Sequence, residues 1–404
     1  MSQRFVIMAG GTGGHIFPAL AIATALKNQG HTVTWLGSSK RMETRLVPEA
    51  GFELDTLTIQ GLRGNGVLGY AVLPWRLTRA VWQARIILKK RRPDWVIGMG
   101  GFAAGPGGMA AKWLGMPLAI HEQNSRAGWT NRLLAHWAKH VFCAYPNAFP
   151  GNIKAHCIGN PLRQALIDQA QSVKKTTRKQ LRVLVVGGSL GAWAINKVMA
   201  EAIALYQHPA QILNHVQDDM NTHIIPDTDP ESLSNHDLEN LNHIQSDKTV
   251  SSRPPSRDLG DIAPVTIRHQ SGETTYQQTV DLYKQHQVKA NITPFIDDMA
   301  AAYQWADIVI CRAGALTISE VTLMGKPAIF IPLPHAVDNH QYHNAMWLVE
   351  HNAALLIEQK ELTPERLAKQ ISQLTDPATR LTMAQHAQRL AKPDSTQRLL
   401  KALG

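Results

Sequence analysis

Four times along the chain an apolar run stops at a turn of small residues and a helical pattern begins. This unit restricts the fold more than any other feature. Arg4–Ala9 runs into Gly10-Gly11-Thr12-Gly13-Gly14-His15, followed by the apolar spacing of Phe17–Leu26. Trp95–Ile97 runs into Gly98-Met99-Gly100-Gly101-Phe102, and Leu181–Val186 into Gly187-Gly188-Ser189-Leu190-Gly191-Ala192. Ile308–Ile310 ends in Cys311-Arg312-Ala313-Gly314, with a helical pattern opening at Leu316. Strands alternating with helices argue for a parallel, doubly wound sheet. Each turn leaves backbone N–H groups unpaired at a helix N-terminus, where about half a positive charge collects. Such an end suits a diphosphate, and glycines let the backbone come close to it. The spacing is not GxGxxG, so a dinucleotide fingerprint fits poorly.

Further strands are expected at Thr32–Gly37, Phe52–Ile59, Leu118–His121 and Val141–Cys143. After Gly159-Asn160-Pro161-Leu162-Arg163, which reads as a connection, come Val265–Arg268, Val288–Ile292 and Ala328–Ile331. Helices are expected at Thr275–His286, Met299–Trp305 and in the tail from Thr363. The fold class is therefore α/β, with two similar halves facing a cleft. Residues 1–160 form the first domain and 161–404 the second. In sheets of this kind ligands bind beyond the carboxyl ends of the strands. That places Glu122 and Asn124, in His121-Glu122-Gln123-Asn124, at the same crevice.

A chain of 404 residues, 44% hydrophobic, can fill two cores. Cys143, Cys157 and Cys311 have neither metal nor disulfide spacing, which suits a reducing compartment. Arg4–Ala9 is too short for a signal-peptide core, and the glycines and prolines of 98–120 argue against a membrane span there. A net charge of +10 calls for an acidic partner: nucleic acid, anionic lipid or a phosphorylated substrate. Residues 67–92 place Leu68, Val72, Trp75 and Trp82 near helical spacing, beside Arg76, Arg79, Arg85, Lys89, Lys90, Arg91 and Arg92. Tryptophan with a basic face suits a membrane surface, although an ordinary amphipathic helix has the same pattern. Lys112-Trp113 and Trp129 would extend the patch if they lie beside it. Residues 208–262 hold ten acidic against three basic residues and no aromatic, with Pro226, Pro230, Pro254 and Pro255 interrupting any long helix, the composition of a solvated excursion. Their histidines lack metal-ligand spacing. Asp297-Asp298 reads as a helix cap. Glu320 would repel a phosphate. It is either an acceptor for ribose hydroxyls or a carboxylate favoured near a helix start.

The motifs GGTGGH, GMGGF, HEQN, GNPLR, GGSLGA, FIDDM, GALTISE and DNHQ…NA stand in the order found in the MurG family of peptidoglycan N-acetylglucosaminyltransferases, which the chain resembles over almost its whole length outside 208–262. The resemblance implies the GT-B architecture, two Rossmann-like domains with the donor held mainly by the second. The last helix would return to the first domain. It implies transfer of N-acetylglucosamine from UDP-GlcNAc to undecaprenyl-diphospho-muramoylpentapeptide (lipid I), giving lipid II. Carried onto this chain, Thr12, Gly13, Gly14 and Asn124 would face the donor sugar, and Arg163 and Ser189 the diphosphate. The Ile296 backbone would meet uracil, and Gln341 the sugar hydroxyls. Ala315, Leu316, Thr317, Ile318, Ser319 and Glu320 would hold phosphate and ribose. His340 stands where some members place a second glutamine, and the 208–262 insert is outside the family pattern.

Such a reaction inverts the anomeric carbon and needs a base, together with compensation for the leaving diphosphate. Helix N-termini, glycine loops and Arg163 can supply the compensation with neither metal nor cofactor. His15 is the first candidate for the base, because histidine exchanges protons near neutral pH and this one follows a glycine loop. A helix-capping role is its plain alternative, and Glu122 is the second candidate base. The resemblance implies work at the cytoplasmic face of the bacterial inner membrane, as a peripheral protein on an anionic surface, with other cell-wall and division proteins as further partners. The alternatives are another UDP-sugar enzyme of this architecture, such as a lipid glycosyltransferase or a UDP-GlcNAc epimerase, and a basic nucleic-acid binder. No recognised nucleic-acid motif accompanies the positive residues, so nucleic acid is not expected as a partner.

Overall fold

The apolar runs form two sheets in which every strand pair is parallel. The computed structural model describes residues 2–39, 41–58, 73–171, 180–187, 192–208, 263–334 and 339–404. The N-terminal sheet contains β1 (Arg4–Met8), β2 (Thr32–Ser38), β3 (Glu53–Leu57), β4 (Trp95–Gly98), β5 (Leu118–Glu122), β6 (His140–Cys143) and β7 (His156–Cys157). Their order is β3-β2-β1-β4-β5-β6-β7. The second sheet contains β8 (Leu181–Val186), β9 (Val265–Gln270), β10 (Asn291–Thr293), β11 (Ile308–Cys311), β12 (Ala328–Phe330) and β13 (Leu355–Leu356), in the order β10-β9-β8-β11-β12-β13. Helices cover both faces, so the central strands are buried throughout: β4, β5 and β11 have no exposed residue. Fully burying each Val, Ile or Leu of these strands contributes roughly 1.5–3 kcal/mol.

In each sheet the strands run outward in opposite directions from one central pair. In the first sheet the pair is β1 and β4, and in the second it is β8 and β11. The strand order reverses between them, which opens a crevice beyond their carboxyl ends. Each of the four small-residue turns follows one of these four strands. The fold thus gathers its unpaired helix starts at two points.

Two departures from the expected elements have local causes. Val288 stands outside β10 because Gln287 takes a left-handed φ of 56° and the Val288 N–H closes the preceding helix on the Tyr283 carbonyl at 2.9 Å. The two-residue strands β7 and β13 are too short to show a pattern in sequence. The helical stretch within 67–92 is Leu73–Arg91; Leu68 and Val72 lie outside the described residues. So do the third glycine turn from Gly188 to Gly191, Ser189 included, and residues 209–262 of the insert. Asp298 Oδ1 accepts the Ala301 N–H at 2.9 Å and caps helix Met299–Trp305.

The chain crosses between the sheets at two places that touch. Gly159 has φ +86°, and a Cβ there would lie 2.6 Å from Lys392 Cβ. Lys392 Nζ donates to the Cys157 carbonyl at 3.0 Å. Beyond it, helix Ser395–Leu403 places Leu399, Leu400 and Leu403 in one buried cluster with Phe5, Ile7, Ile22 and Trp95. The chain's last helix therefore belongs to the core of the N-terminal sheet.

Candidate active site

The first glycine turn is held by a carboxylate that no motif or spacing in the chain marks out. Glu43 is fully buried; its Oε2 accepts the Gly11 N–H at 3.1 Å and its Oε1 the Ser38 N–H at 3.0 Å. Cβ atoms at Gly10 or Gly37 would run into this side chain. Helix Gly13–Asn28 starts at Thr12, whose carbonyl accepts from the His15 and Ile16 N–H groups at 3.1 and 3.2 Å. Thr12 makes no side-chain cap, so the N–H groups of Gly13 and Gly14 stay available. The second turn lies against the first. A Cβ on Gly101 would sit 2.1 Å from the Gly10 carbonyl oxygen, and one on Gly100 would sit 2.9 Å from His15 Nδ1.

His15 does not cap its helix. Its Nδ1 lies 2.9 Å from Gln123 Oε1. Gln123 Nε2 in turn lies 3.2 Å from both His121 Nδ1 and the His121 carbonyl, and His121 Nε2 lies 2.8 Å from the Gly159 carbonyl. His121 is wholly buried, and burial pushes its pKa down to about 4. It is therefore neutral at physiological pH.

Glu122, the second candidate base, is spoken for. Oε1 accepts from the backbone and side-chain amides of Asn124 at 3.0 and 3.2 Å. Oε2 accepts from Gly128 N–H at 3.2 Å and Asn131 Nδ2 at 2.8 Å. Four donors on a buried carboxylate describe a loop organiser. Asn124 is likewise engaged, since its Oδ1 accepts from Asn344 Nδ2 at 3.2 Å.

Asn344 and Asn160 join the two halves. Asn344, fully buried in helix His340–Glu350, also accepts the Ser125 N–H at 2.8 Å. Asn160 Nδ2 reaches the Gln123 carbonyl at 3.1 Å, Ser319 Oγ at 3.0 Å and the Ala315 carbonyl at 3.3 Å. Both residues lie in motifs quoted from the sequence, yet local spacing gives no sign of partners more than 150 positions away.

The second half presents helix Ala315–Leu323, whose N-cap is Gly314. Among Ala315, Leu316, Thr317, Ile318, Ser319 and Glu320 the structure distinguishes several situations. The N–H groups of Ala315, Leu316 and Thr317 have no partner within the helix, whereas that of Ile318 already donates to the Gly314 carbonyl at 2.9 Å. The Ile318 side chain belongs to the core. Ser319 Oγ donates to the Ala315 carbonyl at 3.0 Å. Glu320 is 7% exposed, taking the Tyr303 hydroxyl on Oε2 at 3.1 Å and the Arg163 guanidinium beside Oε1 at 3.5 Å. Burial pushes the Glu320 carboxyl up, against the pull of Arg163 and Tyr303. Arg163 itself is half-exposed and also lies over the Phe17 ring of the first half, 5.8 Å from its centroid. Ile296 is a buried core residue following β10. Gln341 Oε1 accepts the Leu333 N–H at 2.9 Å.

Away from the crevice, helices Leu73–Arg91 and Ala104–Trp113 pack together and expose tryptophans. Trp75 and Trp113 are about 60% exposed, and Trp129 of the next helix 80%. Trp82 and Trp113 have ring centroids 6.2 Å apart, with the Arg85 guanidinium 5.1 and 4.8 Å from the two rings. Arg79 lies over Trp75 at 5.6 Å. Trp113 is thus part of one patch with the basic helix. Among the described residues no helix is long and apolar enough to cross a membrane.

Two family models match the chain in order: the glycosyltransferase family 28 N-terminal domain over residues 5–143 and its C-terminal domain over 182–399. A protein of Psychromonas ingrahamii, named as a UDP-N-acetylglucosamine--N-acetylmuramyl-(pentapeptide) pyrophosphoryl-undecaprenol N-acetylglucosamine transferase, is 45% identical over 98% of this chain and 96% of its own. A protein of Aeromonas hydrophila bearing the same name is 42% identical over 99% and 96%. The crystal structure of Acinetobacter baumannii MurG superposes with a TM-score of 0.74 at 34% identity and covers 99% of both chains. Likeness of this extent, running through both sheets and the crossings between them, makes the chain a glycosyltransferase of family 28, in its MurG branch.

Proposed function

We propose that the protein transfers N-acetylglucosamine from UDP-GlcNAc to the muramoyl 4-hydroxyl of undecaprenyl-diphospho-muramoylpentapeptide, with inversion at the anomeric carbon, and so makes lipid II. The observation that carries this reading is identity above 40% across the full length with two transferases named for that reaction. The geometry is consistent with it. The free N–H groups of Ala315, Leu316 and Thr317, with Arg163, offer positive charge to the departing diphosphate. Gly13 and Gly14 offer N–H groups from the opposite half. His15 takes the proton of the attacking hydroxyl. Glu122 serves by shaping the loop that carries Asn124. Ser189, Ile296 and Gln341 keep the donor-side roles that the resemblance implies. Incubation with UDP-GlcNAc, with and without the lipid acceptor, tests the assignment. A lipid-linked disaccharide formed only with acceptor supports it. Acceptor-independent change of the sugar indicates an epimerase instead.

Glu320 accepts ribose hydroxyls in this reading, which requires Arg163 to swing from the carboxylate to the diphosphate. Its half-exposed position and 3.5 Å separation leave it loosely held. Glu320→Ala should raise the KM for UDP-GlcNAc by about 10- to 100-fold, the worth of one hydrogen bond to a charged group. An unchanged KM and unchanged UDP affinity, in a variant that unfolds normally, remove Glu320 from the ribose site.

The acceptor's polyprenyl chain stays in the bilayer, so the enzyme works at the cytoplasmic face of the membrane. The patch of Trp75, Trp82, Trp113 and their arginines supports docking there, each cation contributing about 1 kcal/mol near an anionic surface. Replacing Trp75, Arg79 and Trp82 together should weaken binding to anionic vesicles while turnover of a water-soluble acceptor analogue persists. Equal loss with both acceptors points to a damaged fold.

A further inference from the structure

We propose that Gln123 and His121 are positioning residues that hold His15 as its Nδ1–H tautomer and so present an Nε2 lone pair to the acceptor hydroxyl. The inference rests on His15 being the base and adds how the chain prepares it.

The orientation of the Gln123 amide is fixed at its far end. Its Nε2 faces the His121 carbonyl at 3.2 Å. A carbonyl oxygen only accepts, so the amide must turn its NH2 there and its Oε1 towards His15. An amide turned the other way would set two oxygens against each other in a site where Gln123 is 1% exposed. His121 repeats the constraint independently. Its Nε2 faces the Gly159 carbonyl at 2.8 Å and must carry the proton. In a neutral ring Nδ1 then has a lone pair, and it receives the second Gln123 N–H at 3.2 Å. The depressed His121 pKa agrees with that neutral ring.

Gln123 Oε1 therefore meets His15 Nδ1 as an acceptor at 2.9 Å, and Nδ1 must be the protonated nitrogen. A neutral imidazole has one N–H, so Nε2 is left with its lone pair. Among the described residues Nε2 has no hydrogen-bond partner of its own. Gly100, which lacks a Cβ, leaves room for the Nδ1–Cε1 edge of the ring in this position. Unconstrained imidazole prefers the opposite tautomer, with the proton on Nε2, which cannot take a proton from the hydroxyl by that atom. The arrangement serves the purpose of the aspartate in a Ser-His-Asp triad, which also fixes a tautomer. Here a neutral amide does so without adding charge beside the diphosphate. Asn160 donates to the Gln123 carbonyl and to the first turn of helix Ala315–Leu323, so the same relay is tied to the helix that faces the donor.

Nitrogen-15 NMR of histidine-labelled full-length protein reads the tautomer directly, the His15 signals being those absent from His15→Ala. At a pH where the ring is neutral, His15 should show a pyrrole-type Nδ1 and a pyridine-type Nε2. A wild-type ring protonated on Nε2 overturns the proposal, whatever the variants do. Gln123→Met, of similar volume without the acceptor, should move the ring towards the Nε2–H form. It should also lower kcat by about 10- to 100-fold, less than the roughly 10⁴-fold of a triad locked in the wrong tautomer, because a free ring still visits the right one. KM for UDP-GlcNAc should stay within about twofold, since the loss falls on the chemical step. A variant that keeps the Nδ1–H ring overturns the role of Gln123. Full turnover in His15→Ala instead removes the base assignment, and the tautomer measurement still stands apart from it.

Discussion

Replacing His15 by alanine should lower kcat by about 10²–10⁴, the range for loss of a general base. At 1.36 kcal/mol per decade that is roughly 2.7–5.5 kcal/mol of transition-state stabilisation. The affinity for UDP should hardly change. The groups that face the nucleotide in this reading, from Ala315 to Glu320, lie in the other half, whereas the His15 side chain meets Gln123 and the Gly100 turn of its own half. The split between kcat and UDP affinity is the informative part. Joint loss of both indicates that the ring props the two glycine turns together rather than moving a proton. Near-full turnover transfers the role to water, since both oxygens of Glu122 are already occupied by four donors of its own loop.

Strand ends and helix starts were legible because glycine marks them. The turns at Gly10, Gly98 and Gly314 lie where the apolar runs place them, and the order of the strands puts them at the switch points. The roles of individual side chains were less legible. Glu122 and Glu320 looked alike in sequence, each a carboxylate near a strand end or helix start. The structure gives one a ring of amides and the other a phenol and a guanidinium. Ile318 sits within the expected phosphate-binding run, yet a helix turns its fourth residue away from the free N–H groups and into the core. Glu43, Asn160 and Asn344 do much of the positioning, and nothing in their neighbourhoods announces it. Their partners become neighbours only when the sheets are wound and joined. The Gln123–His121 relay has the same character: HEQN shows the residues, while the direction of each hydrogen bond comes from two carbonyls, of His121 and of Gly159 across the crossing.

The contact between the two N-terminal glycine turns should be among the least replaceable in the molecule. Gly101 has φ +84°, in the left-handed region that costs an L side chain roughly 1–2 kcal/mol. Its added Cβ would also meet the Gly10 carbonyl oxygen at 2.1 Å, with the Gly10 carbonyl carbon and nitrogen within 2.9 Å. All three are backbone atoms, and the Gly10–Gly11 peptide is held in turn through the Gly11 N–H by the Glu43 carboxylate, so no rotamer change relieves the overlap. Overpacking of this kind adds about 1–3 kcal/mol. Gly101→Ala should therefore cost about 2–5 kcal/mol, against a total stability of about 5–15 kcal/mol for a typical protein. Gly11→Ala separates the two terms: Gly11 has φ +96° but nothing within 4 Å of its added Cβ, so it should show only the backbone cost. Urea unfolding of both variants gives the comparison. Equal midpoints mean that the turns move apart without resistance, and the crevice between them is softer than its geometry implies. A lower midpoint for Gly101→Ala, with kcat reduced in the surviving folded protein, means that the Gly10–Gly101 contact sets where His15 stands.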